Sequence, residues 1–585
     1  MNGCGENVFI LNTALAVARG EARELCMATL DVAKAFDTVS HFSIRRALAR
    51  HKVSAEGIEL LMNLLQNSTT YLEHSDGNSD PIPLTRGVKQ GDPMSPLLFS
   101  MVLDELLDDL TQSGGGFTFA NGVEVNCLAF ADDLLLLSDS KAGLQSNLLK
   151  CYRYFTARSL TLNVQKCCSL RLYKVPRARS VNVCMENQFY LDPCQPDTVL
   201  PVFTATEFIR YLGVDFNPFG RRRDQIERAQ ALLDRVCKAP MKPQQKIEII
   251  RTHLLPRLLY TLSVGNPLAN TASEIDKRVR QSVKELLRLP PATLSNDYFY
   301  LPKGSGGLGF LNLQETADTC ALRLMHKMSL SEDRTTQYVA ELWINQRRRY
   351  RLMRRNNVAS FSEKGIRDAK RQMAEVHRQK FLATYQGYGH QEFSDRRSNG
   401  WITGEGMTGH RFITAIQVRT SLIPTRMQIL RGRAEQVDQR VLCRRCGTIS
   451  GASESLCHIS QSCAFSHGLI TRRHDAVVSK LGDLAEASGF RVVAEPILRV
   501  GDRVYQPDLL LTKGQSAWVL DVAIPWEGNT PLVQRYDEKV RKYACLKEAV
   551  LKLTGTVNYA AEALVDGQLR SRSSCYWSSW GVVPT

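Results

Sequence analysis

The 585-residue sequence lacks long apolar runs, a basic N-terminal segment, internal repeats and low-complexity tracts. No run approaches the roughly 18 apolar residues that a membrane-spanning helix needs, so no membrane span is predicted. Asn12 and Thr13 interrupt the first apolar stretch, and this disfavours a secretory signal peptide. The 16 cysteines are mostly scattered, which is typical of reduced thiols in an intracellular protein and not of a disulfide framework.

Acidic residues are the scarcer charge, 59 against 75 Lys and Arg, and the formal net charge is +16. Residues 347–380 hold 12 basic and 3 acidic side chains, and residues 411–445 hold 8 and 2, so these two runs account for +15 of the total. A single basic run is usually a solvated helix face. Two Arg-rich runs predict a polyanion partner, because Lys and Arg contacts to phosphates release counterions. We expect a central clamp on RNA and DNA.

The chain divides into four segments by pattern, and its length and 43% apolar content predict a multidomain α+β globular protein. Residues 1–220 alternate short apolar runs with amphipathic stretches, and residues 221–400 carry long helical periodicity. Residues 401–470 are rich in Gly, Arg and Cys, which indicates a compact linker with little core of its own. Residues 471–585 return to an α/β pattern, with a helix, short strands around Val492, Val504 and Val519, and a helix from Leu532.

Three acidic side chains follow predicted strands in the first segment. Asp31 ends a buried strand at residues 24–30, and Asp132 and Asp133 occupy the turn of a hairpin at residues 123–138. Acids flanked by apolar sequence need a neutralising partner, and Mg²⁺ prefers oxygen ligands. Two such ions can activate a 3′-hydroxyl and stabilise leaving pyrophosphate. An isolated Asp-Asp pair is more often a turn or a helix cap, so the interpretation depends on the neighbouring motifs.

Those motifs occur in a fixed order. Residues 86–96 (RGVKQGDPMSP) lie between the two acidic segments, and residues 160–166 (LTLNVQK) and 211–216 (YLGVDF) follow them. In this order the segments resemble the reverse transcriptases of non-LTR retrotransposons throughout residues 1–220. The resemblance implies the palm of a right-hand polymerase, with a helical thumb after residue 216.

The resemblance also implies roles for individual residues. Asp31 and Asp132 would bind Mg²⁺ together with the Val32 carbonyl, and Asp133 would stand beside them. Lys166 would donate a proton to pyrophosphate, a role that a surface lysine could mimic.

Three further residues would select and position the substrates: Phe36 would exclude a ribose 2′-hydroxyl, so that deoxynucleoside triphosphates are used, and Gln90 and Gly91 would position template and nucleotide. Residues 3–7 (GCGEN) resemble an early finger motif, yet they stand almost at the first residue. The upstream finger strands and the N-terminal zinc-finger and Myb-like modules of related elements are missing. We therefore expect an N-terminally truncated open reading frame.

A cysteine–histidine cluster occupies the third segment, with spacing C-x2-C-x11-H-x4-C at Cys443, Cys446, His458 and Cys463. Thiolate and imidazole ligands at such spacings suit a structural Zn²⁺ site. Cys457 and His467 are competing ligands. Site-specific non-LTR elements carry a Cys-Cys-His-Cys motif between thumb and nuclease, and the resemblance therefore strengthens the zinc interpretation.

A second pair of acids lies in the last segment. Asp508 stands on a strand-like run and Asp521 follows after 12 residues, a spacing that brings both acids together on a hairpin. The segment resembles the restriction-like endonuclease domain of the same retrotransposon group, in the PD-(D/E)xK class. Asp508 and Asp521 would bind Mg²⁺, and Lys539 or Lys542 on the next helix would stabilise the phosphorane or orient water. Glu495 is a further candidate acid.

Taken together, the motifs resemble site-specific elements that insert into large-subunit ribosomal RNA genes. The resemblance implies a nuclear protein whose partners are element RNA, target double-stranded DNA and deoxynucleoside triphosphates, with no membrane partner. The nick in the target would supply the 3′-hydroxyl that primes reverse transcription. A non-catalytic nucleic-acid-binding remnant and an intron-maturase type of polymerase are the alternatives, and one copy or two copies acting together stay open.

Overall fold

The fold is that of a computed structural model, which describes residues 3–75, 77–186, 188–219, 225–264, 269–390, 396, 398–431, 439–524, 526, 532–565 and 568–569. Within these ranges no helix is both long and apolar enough to cross a bilayer. Residues 221–224, at the start of the segment predicted to be helical, and Arg433 of the second basic run lie outside the described residues.

The strands lie toward the two ends of the described chain, and its middle, from Gln225 to Gln461, is helical. The α-helices are α1 (Gly3–Gly20), α2 (Ala35–Thr38), α3 (His41–Arg50), α4 (Ala55–Gln66), α5 (Ser95–Gln112), α6 (Lys141–Ala157), α7 (Gln225–Lys238), α8 (Pro243–Ile249), α9 (Leu255–Val264), α10 (Ala269–Leu286), α11 (Asn296–Tyr300), α12 (Leu313–Ser329), α13 (Arg334–Ala340), α14 (Trp343–Arg355), α15 (Glu363–Leu382), α16 (Gly409–Arg419), α17 (Arg426–Ile429), α18 (Gly447–Ser450), α19 (Leu456–Gln461), α20 (His467–Ala487), α21 (Leu532–Ala544) and α22 (Lys547–Thr554). The strands are β1 (Leu25–Asp31), β2 (Thr69–Thr70), β3 (Glu73–His74), β4 (Gly77–Asn78), β5 (Ile82–Pro83), β6 (Phe117–Thr118), β7 (Glu124–Val125), β8 (Cys127–Phe130), β9 (Asp133–Ser138), β10 (Cys168–Lys174), β11 (Val181–Val183), β12 (Ile209–Tyr211), β13 (Val214–Phe216), β14 (Arg491–Ala494), β15 (Leu498–Val500), β16 (Arg503–Tyr505), β17 (Leu509–Lys513), β18 (Ser516–Ala523), β19 (Asn558–Val565) and β20 (Gln568–Leu569).

The chain forms two compact units, residues 1–283 with 309–376, and residues 284–308 with 377–585. This division cuts across the predicted segment 221–400 and places segment 401–470 in the same unit as segment 471–585. One reason is that α16 buries Phe412, Ile413 and Ile416, so residues 401–430 contribute more core than their Gly- and Arg-rich composition suggested. The predicted helical character of residues 221–400 is confirmed by α7 to α15.

The first unit is built on an antiparallel sheet with strand order β11-β10-β1-β9-β8. Its central strands are apolar on both faces, because the sheet is covered on both sides. Along β1, Leu25 and Met27 join one hydrophobic cluster, and Cys26, Ala28 and Leu30 join the other. Helix α1 packs with α9, α12, α13 and α14. The predicted strand before Asp31 and the predicted hairpin around Asp132 are both confirmed.

The second unit contains a five-stranded sheet of order β14-β17-β18-β19-β20, in which only the β18–β19 pair is parallel among the described strands. Along β18, Leu520 and Val522 pack on one face with α20, whereas Ala517 and Val519 pack on the other with α21 and α22. The strands predicted around Val492, Val504 and Val519 are confirmed as β14, β16 and β18. Strands β15 and β19 were not predicted. Asp508 directly precedes β17 instead of standing on it.

Candidate catalytic and metal-binding sites

The sheet of the first unit gathers the three acids of the predicted palm at one end. Asp31 is the last residue of β1 and pairs in register with Asp133, the first residue of β9. Asp132 occupies the turn before β9, where Ala131 has the left-handed φ of 52° that a tight two-residue turn needs. Val32 continues from β1 as an isolated bridge to Leu162, so its carbonyl follows Asp31 directly in the sheet.

Negative charge dominates this end of the sheet. Burial, followed by the charges of Asp132 and Asp31, raises the pKa of Asp133. The nearest cationic partner in the described structure is Lys166, whose Nζ lies 3.7 Å from Asp31 Oδ2. That lysine side chain is 67% exposed and Asp31 is 39% exposed. Three carboxylates beside one exposed lysine form a site that favours a cation. Carboxylate oxygens are ligands that Mg²⁺ prefers, so these residues fit that ion.

The loop at residues 86–96 is fixed against the segment that follows Asp31. Gly87 has φ +86°, and a Cβ there would lie 2.7 Å from the Asp37 carbonyl oxygen, so only glycine allows this approach. Its N–H donates to Val39 O at 2.7 Å. Gln90 Nε2 donates to Asp37 Oδ1 at 3.1 Å, and Phe36 stacks against Phe99 at 5.0 Å between ring centroids.

Gly91, the second glycine of this loop, has φ +92°, and an added Cβ there would meet no described atom within 4 Å. The structure thus brings Phe36 and Gln90 together on the loop and the segment after β1, as the motif order implied. Gly91 leaves open space that a nucleotide or template can approach.

Three residues that sequence reasoning did not assign support the strand that ends in the acidic turn. Asn7 Nδ2 donates to Ala129 O at 2.9 Å, and Tyr211 OH donates to Leu128 O at 3.1 Å, so two side chains hold the backbone of β8. Tyr260 OH in turn donates to Leu212 O at 2.8 Å. Only the positions of Asn7 and Tyr211 within the two quoted motifs could have signalled this role.

The four predicted zinc ligands converge in the second unit: Cys443, Cys446, His458 and Cys463. Their ligand atoms all lie within 4.8 Å of one another, with 4.0 Å between the sulfurs of Cys443 and Cys463 and 3.2 Å from Cys446 Sγ to His458 Nε2. No other group of three or more His, Cys, Asp or Glu side chains with ligand atoms this close together occurs in the described ranges. The competing candidates Cys457 and His467 do not belong to it. Soft sulfur donors and one imidazole at this separation fit a tetrahedral Zn²⁺.

An ion pair between the exposed Arg444 and the buried Glu454 lies beside the cluster. Arg444 donates from Nε to Glu454 Oε2 at 2.8 Å, and the Arg426 N–H donates to Glu454 Oε1 at 3.1 Å. The Arg444 guanidinium holds the pKa of Glu454 down at about 2. Burial alone would raise the pKa of Cys443, but N–H groups of Cys446 and Arg445 lower it overall, which favours the thiolate that binds metal.

Several arginines of the second basic run therefore make contacts within the protein. The Arg444 guanidinium pairs with Glu454, the Arg426 guanidinium donates to Leu442 O at 3.1 Å, and the Arg431 guanidinium lies 3.4 Å from the centre of the Tyr385 ring. Charge in this run is only partly available to a nucleic acid, so the predicted clamp cannot be equated with the whole run.

The second pair of acids meets at the end of the β17–β18 hairpin. Leu509 pairs with Leu520, which sets Asp508 beside Asp521. Asp508 Oδ2 accepts the Val522 N–H at 2.5 Å. Asp521 continues the β18 face that packs on α21, and its carboxylate accepts the Tyr543 hydroxyl at 2.8 Å.

The structure separates the two candidate lysines. Lys539 Nζ forms an ion pair with Asp521 Oδ2, whereas Lys542 Nζ donates to Tyr543 OH at 2.9 Å. Burial, with the Asp521 charge adding to it, raises the pKa of Asp508, although the Val522 N–H, the His474 ring and Lys539 oppose that rise. Two nearby acids that disfavour each other's charge again suit a hard divalent ion.

Three further titratable residues lie in this part of the second unit, and only one of them, Glu495, was a predicted candidate. His474 Nε2 on α20 lies 3.4 Å from Asp508 Oδ2. The candidate acid Glu495 follows β14, its N–H donates to Asp508 O at 2.9 Å, and it is exposed. Glu562 on β19, which pairs with Leu520, was not predicted. It is 6% exposed, it accepts the Tyr536 hydroxyl at 3.0 Å, and burial raises its pKa.

Comparison with known proteins agrees with the motif order. The family described as reverse transcriptase (RNA-dependent DNA polymerase) matches residues 7–216. The Pol polyprotein of retrotransposable element R2DM from Drosophila melanogaster is 30% identical over 93% of this chain and 50% of its own length. An R2 Pol polyprotein from Popillia japonica is 30% identical over 91% of this chain and 85% of its own, and one from Nasonia vitripennis is 30% identical over 99% and 55%.

The chain thus spans about half the length of the Drosophila and Nasonia relatives and most of the Popillia one. Among solved structures, apo telomerase of Candida tropicalis is 12% identical with a TM-score of 0.31 over 58% of this chain and 56% of that one, which is too low to define the fold. The sequence relatives are decisive: the chain belongs to the family of Pol polyproteins of R2 retrotransposable elements.

Proposed function

We propose that this chain is an RNA-directed DNA polymerase and a DNA endonuclease. The nuclease would nick double-stranded target DNA, in a ribosomal RNA gene, and the freed 3′-hydroxyl would prime reverse transcription of the element's RNA. The observation that carries the polymerase assignment is the register of β1 and β9, which pairs Asp31 with Asp133 beside the Asp132 turn. Membership in a family of retrotransposon Pol polyproteins supports the same activity.

In the polymerase site, Asp31, Asp132 and the Val32 carbonyl would hold Mg²⁺, with Asp133 adjoining. Bound Mg²⁺ would supply Lewis-acid stabilisation of the triphosphate and of the 3′-oxygen. Phe36, fixed against Phe99, would border the sugar of the nucleotide. Lys166, whose Nζ lies 3.7 Å from Asp31 Oδ2, would protonate pyrophosphate.

The loop at residues 86–96 would position the template and the incoming nucleotide through Gln90 and the open backbone at Gly91. Its attachment to the segment after β1, through the Gly87 and Val88 N–H groups, supports this role because the loop and Asp31 then move together. Deoxynucleoside triphosphates and RNA are the substrates.

In the nuclease site, Asp508 and Asp521 would hold Mg²⁺, which would polarise the scissile phosphate. Lys539 would stabilise negative charge on that phosphate, because its ammonium already lies against Asp521. Tyr543 orients Asp521, and His474 is placed to hold Asp508.

Four functional segments follow from this proposal: a polymerase palm with a fingers remnant at 1–220, a thumb and basic linker at 221–400, a zinc-knuckle linker at 401–470 and a restriction-like nuclease at 471–585. Zn²⁺ bound by the cluster Cys443, Cys446, His458 and Cys463 would stabilise the third segment. The site of action would be the nucleus, where the target genes lie.

Single substitutions in each site test the two activities separately. Asp132→Asn should abolish primer extension on an RNA template and leave nicking of the target duplex intact, and Asp508→Ala should do the reverse. Each variant is the other's control for folding and nucleic-acid binding. Extension by Asp132→Asn at the wild-type rate would disprove the palm assignment, and nicking by Asp508→Ala at the wild-type rate would disprove the nuclease assignment.

The zinc proposal is tested by metal analysis of the purified full chain. We expect about one zinc per chain, lost in Cys463→Ser and retained in Cys457→Ser, because four protein ligands complete a structural site. Equal zinc in the two variants, or none in the unaltered chain, would contradict the assignment.

A further inference from the structure

Helix α14 carries the start of the first basic run, and its arginines divide between two faces. On the inner face, Arg355 donates from Nε to Asp318 Oδ2 at 2.7 Å, and that acid is only 8% exposed. Arg349 pairs with Glu341 at 3.1 Å and lies 4.5 Å from the centre of the Phe361 ring. These arginines attach the helix to its neighbours, so they are not available for a ligand.

The outer face repeats along the same helix with aromatic and basic side chains. Its members, here called the α14 face, are Trp343, Arg347, Tyr350, Arg351 and Arg354, which succeed one another at intervals of one to four residues and share one side of the helix. Trp343 is 57% exposed and Tyr350 69%. None of the three arginines forms an ion pair with any residue in the described ranges, and all three are exposed.

The face is rigid and borders a groove. Asn345 Nδ2 donates to Thr13 Oγ1 at 3.2 Å and to Val339 O at 2.7 Å, which fixes the start of α14 to α1 within the first unit. The groove beside it, lined in part by Asn12, Trp343 and Arg351, has a volume of about 290 Å³. This is near the lower limit of about 300 Å³ for small-molecule pockets, a size that suits one unstacked base.

We propose that the α14 face binds single-stranded RNA, and this deepens the proposed polymerase function by naming where the template strand is held. Three unpaired guanidinium groups match a phosphate backbone. The two exposed rings can stack on bases, but only on bases that are not already stacked in a duplex. An acidic protein would satisfy the charges and leave the rings without a role.

Salt dependence of binding tests the arginines. The probe is an oligouridylate of about 16 nucleotides, long enough for one single-strand site. With the full chain, the triple variant Arg347→Gln, Arg351→Gln, Arg354→Gln should reduce the slope of log affinity against log salt by about 2, since each contact to a single strand contributes about 0.7. The matched control removes three exposed charges from the β10–β11 hairpin of the same unit, through Lys174→Gln, Arg177→Gln and Arg179→Gln, and should leave the slope unchanged.

The rings are tested independently. Trp343→Leu with Tyr350→Leu should weaken oligouridylate binding by roughly tenfold or more at an unchanged salt slope, because stacking carries no counterion release. Trp343→Phe with Tyr350→Phe should restore most of the affinity. Equal slopes for the triple variant and its control, no loss on ring removal, or equal effects with duplex RNA, duplex DNA or oligothymidylate would overturn the proposal. All binding measurements use chains that also carry Asp132→Asn. Primer extension is measured separately on chains without that substitution, so failure of the proposed polymerase function is distinguished from failure of this binding proposal.

Discussion

The two carboxylate sites of this chain differ in how much the protein itself neutralises them. At the polymerase site, Asp31 is 39% exposed and its one cationic neighbour among the described residues is a lysine 3.7 Å away that is 67% exposed. At the nuclease site, Asp521 is 5% exposed and is held by both Lys539 and Tyr543. Similar acids therefore stand in opposite surroundings.

The two sites differ in whether the protein itself supplies a positive partner for the acids. In the proposed polymerase, the negative charge of the open palm site would be balanced by Mg²⁺, which would also bind the incoming triphosphate, and this suits a substrate that is renewed at each step. At the nuclease site the buried Asp521 already has Lys539 and the Tyr543 hydroxyl as partners, and these partners offset the desolvation cost of burying it. We expect substitutions to act mainly on function in the first site and on both function and stability in the second.

The largest expected effect is on the nuclease lysine. Lys539→Met should lower the rate of target nicking by roughly 10²–10³-fold, because it removes the positive charge directed at the scissile phosphate. Nicking of a supercoiled plasmid that carries the target is the measurement, at saturating Mg²⁺.

The matched control is Lys542→Met on the same helix, which removes a lysine that contacts Tyr543 instead of an acid. Its loss of nicking should be tenfold or less by the same reasoning. If Lys542→Met lost as much activity as Lys539→Met, the assignment of Lys539 would be wrong.

The next effect separates the two sites by stability. Asp521→Ala should lower the free energy of unfolding by roughly 2–3 kcal/mol, because Lys539 loses its partner in a partly buried position and Tyr543 loses its acceptor. Asp132→Ala lies in the open turn and should change stability by less than about 0.5 kcal/mol. Urea unfolding in metal-free buffer measures both, and a comparable loss in Asp132→Ala would remove the distinction between the sites.

The positions of the acids could be predicted because they follow from strand ends. Residues 24–30 and 123–138 carry apolar patterns strong enough to define β1, β8 and β9, and an acid at the end of a strand stays at the edge of the sheet whatever packs around it. The convergence of Cys443, Cys446, His458 and Cys463 could be predicted for a similar reason, because short spacing along the chain restricts where these side chains can lie.

The remaining residues depend on packing between elements that are distant in sequence. Lys539 and Lys542 lie on the same helix, and only the rotation of α21 against β18 decides which one reaches Asp521. Glu562 lies beside Leu520 because β19 pairs in parallel with β18, a crossover that no local pattern indicated. Likewise, Arg347 and Arg355 belong to one basic run in the sequence, but a buried Asp318 on α12 takes the second.

A smaller effect concerns the exposed lysine of the palm. Lys166→Met should lower the rate of primer extension by about tenfold, near the lower range for a positioned proton donor whose place water can partly take. The loss should shrink as the pH falls, since protonation of the leaving group then needs less help. Single-nucleotide extension under rapid quench measures it, with Lys174→Met as the exposed-lysine control; an unchanged rate in Lys166→Met would make that residue a surface lysine.

The smallest effect has the opposite sign from the others. Burial and the charges of Asp132 and Asp31 raise the pKa of Asp133 above its ordinary 3.8, so folding favours the neutral acid and its ionisation costs stability as the pH rises through the raised pKa. Asp133→Asn should therefore stabilise the metal-free chain near neutral pH by up to about 1 kcal/mol, a limit set by the exposure of this residue. Below pH 3.8 the carboxyl is protonated in both the folded and unfolded chain, and the gain should vanish. Thermal unfolding from below pH 3.8 to neutral pH measures the difference in stability between the variant and the unaltered chain. Added Mg²⁺ should stabilise the unaltered chain more than the variant. A variant less stable than the unaltered chain near neutral pH would show that the palm acids already have a neutralising partner in the protein, as Asp521 has in Lys539.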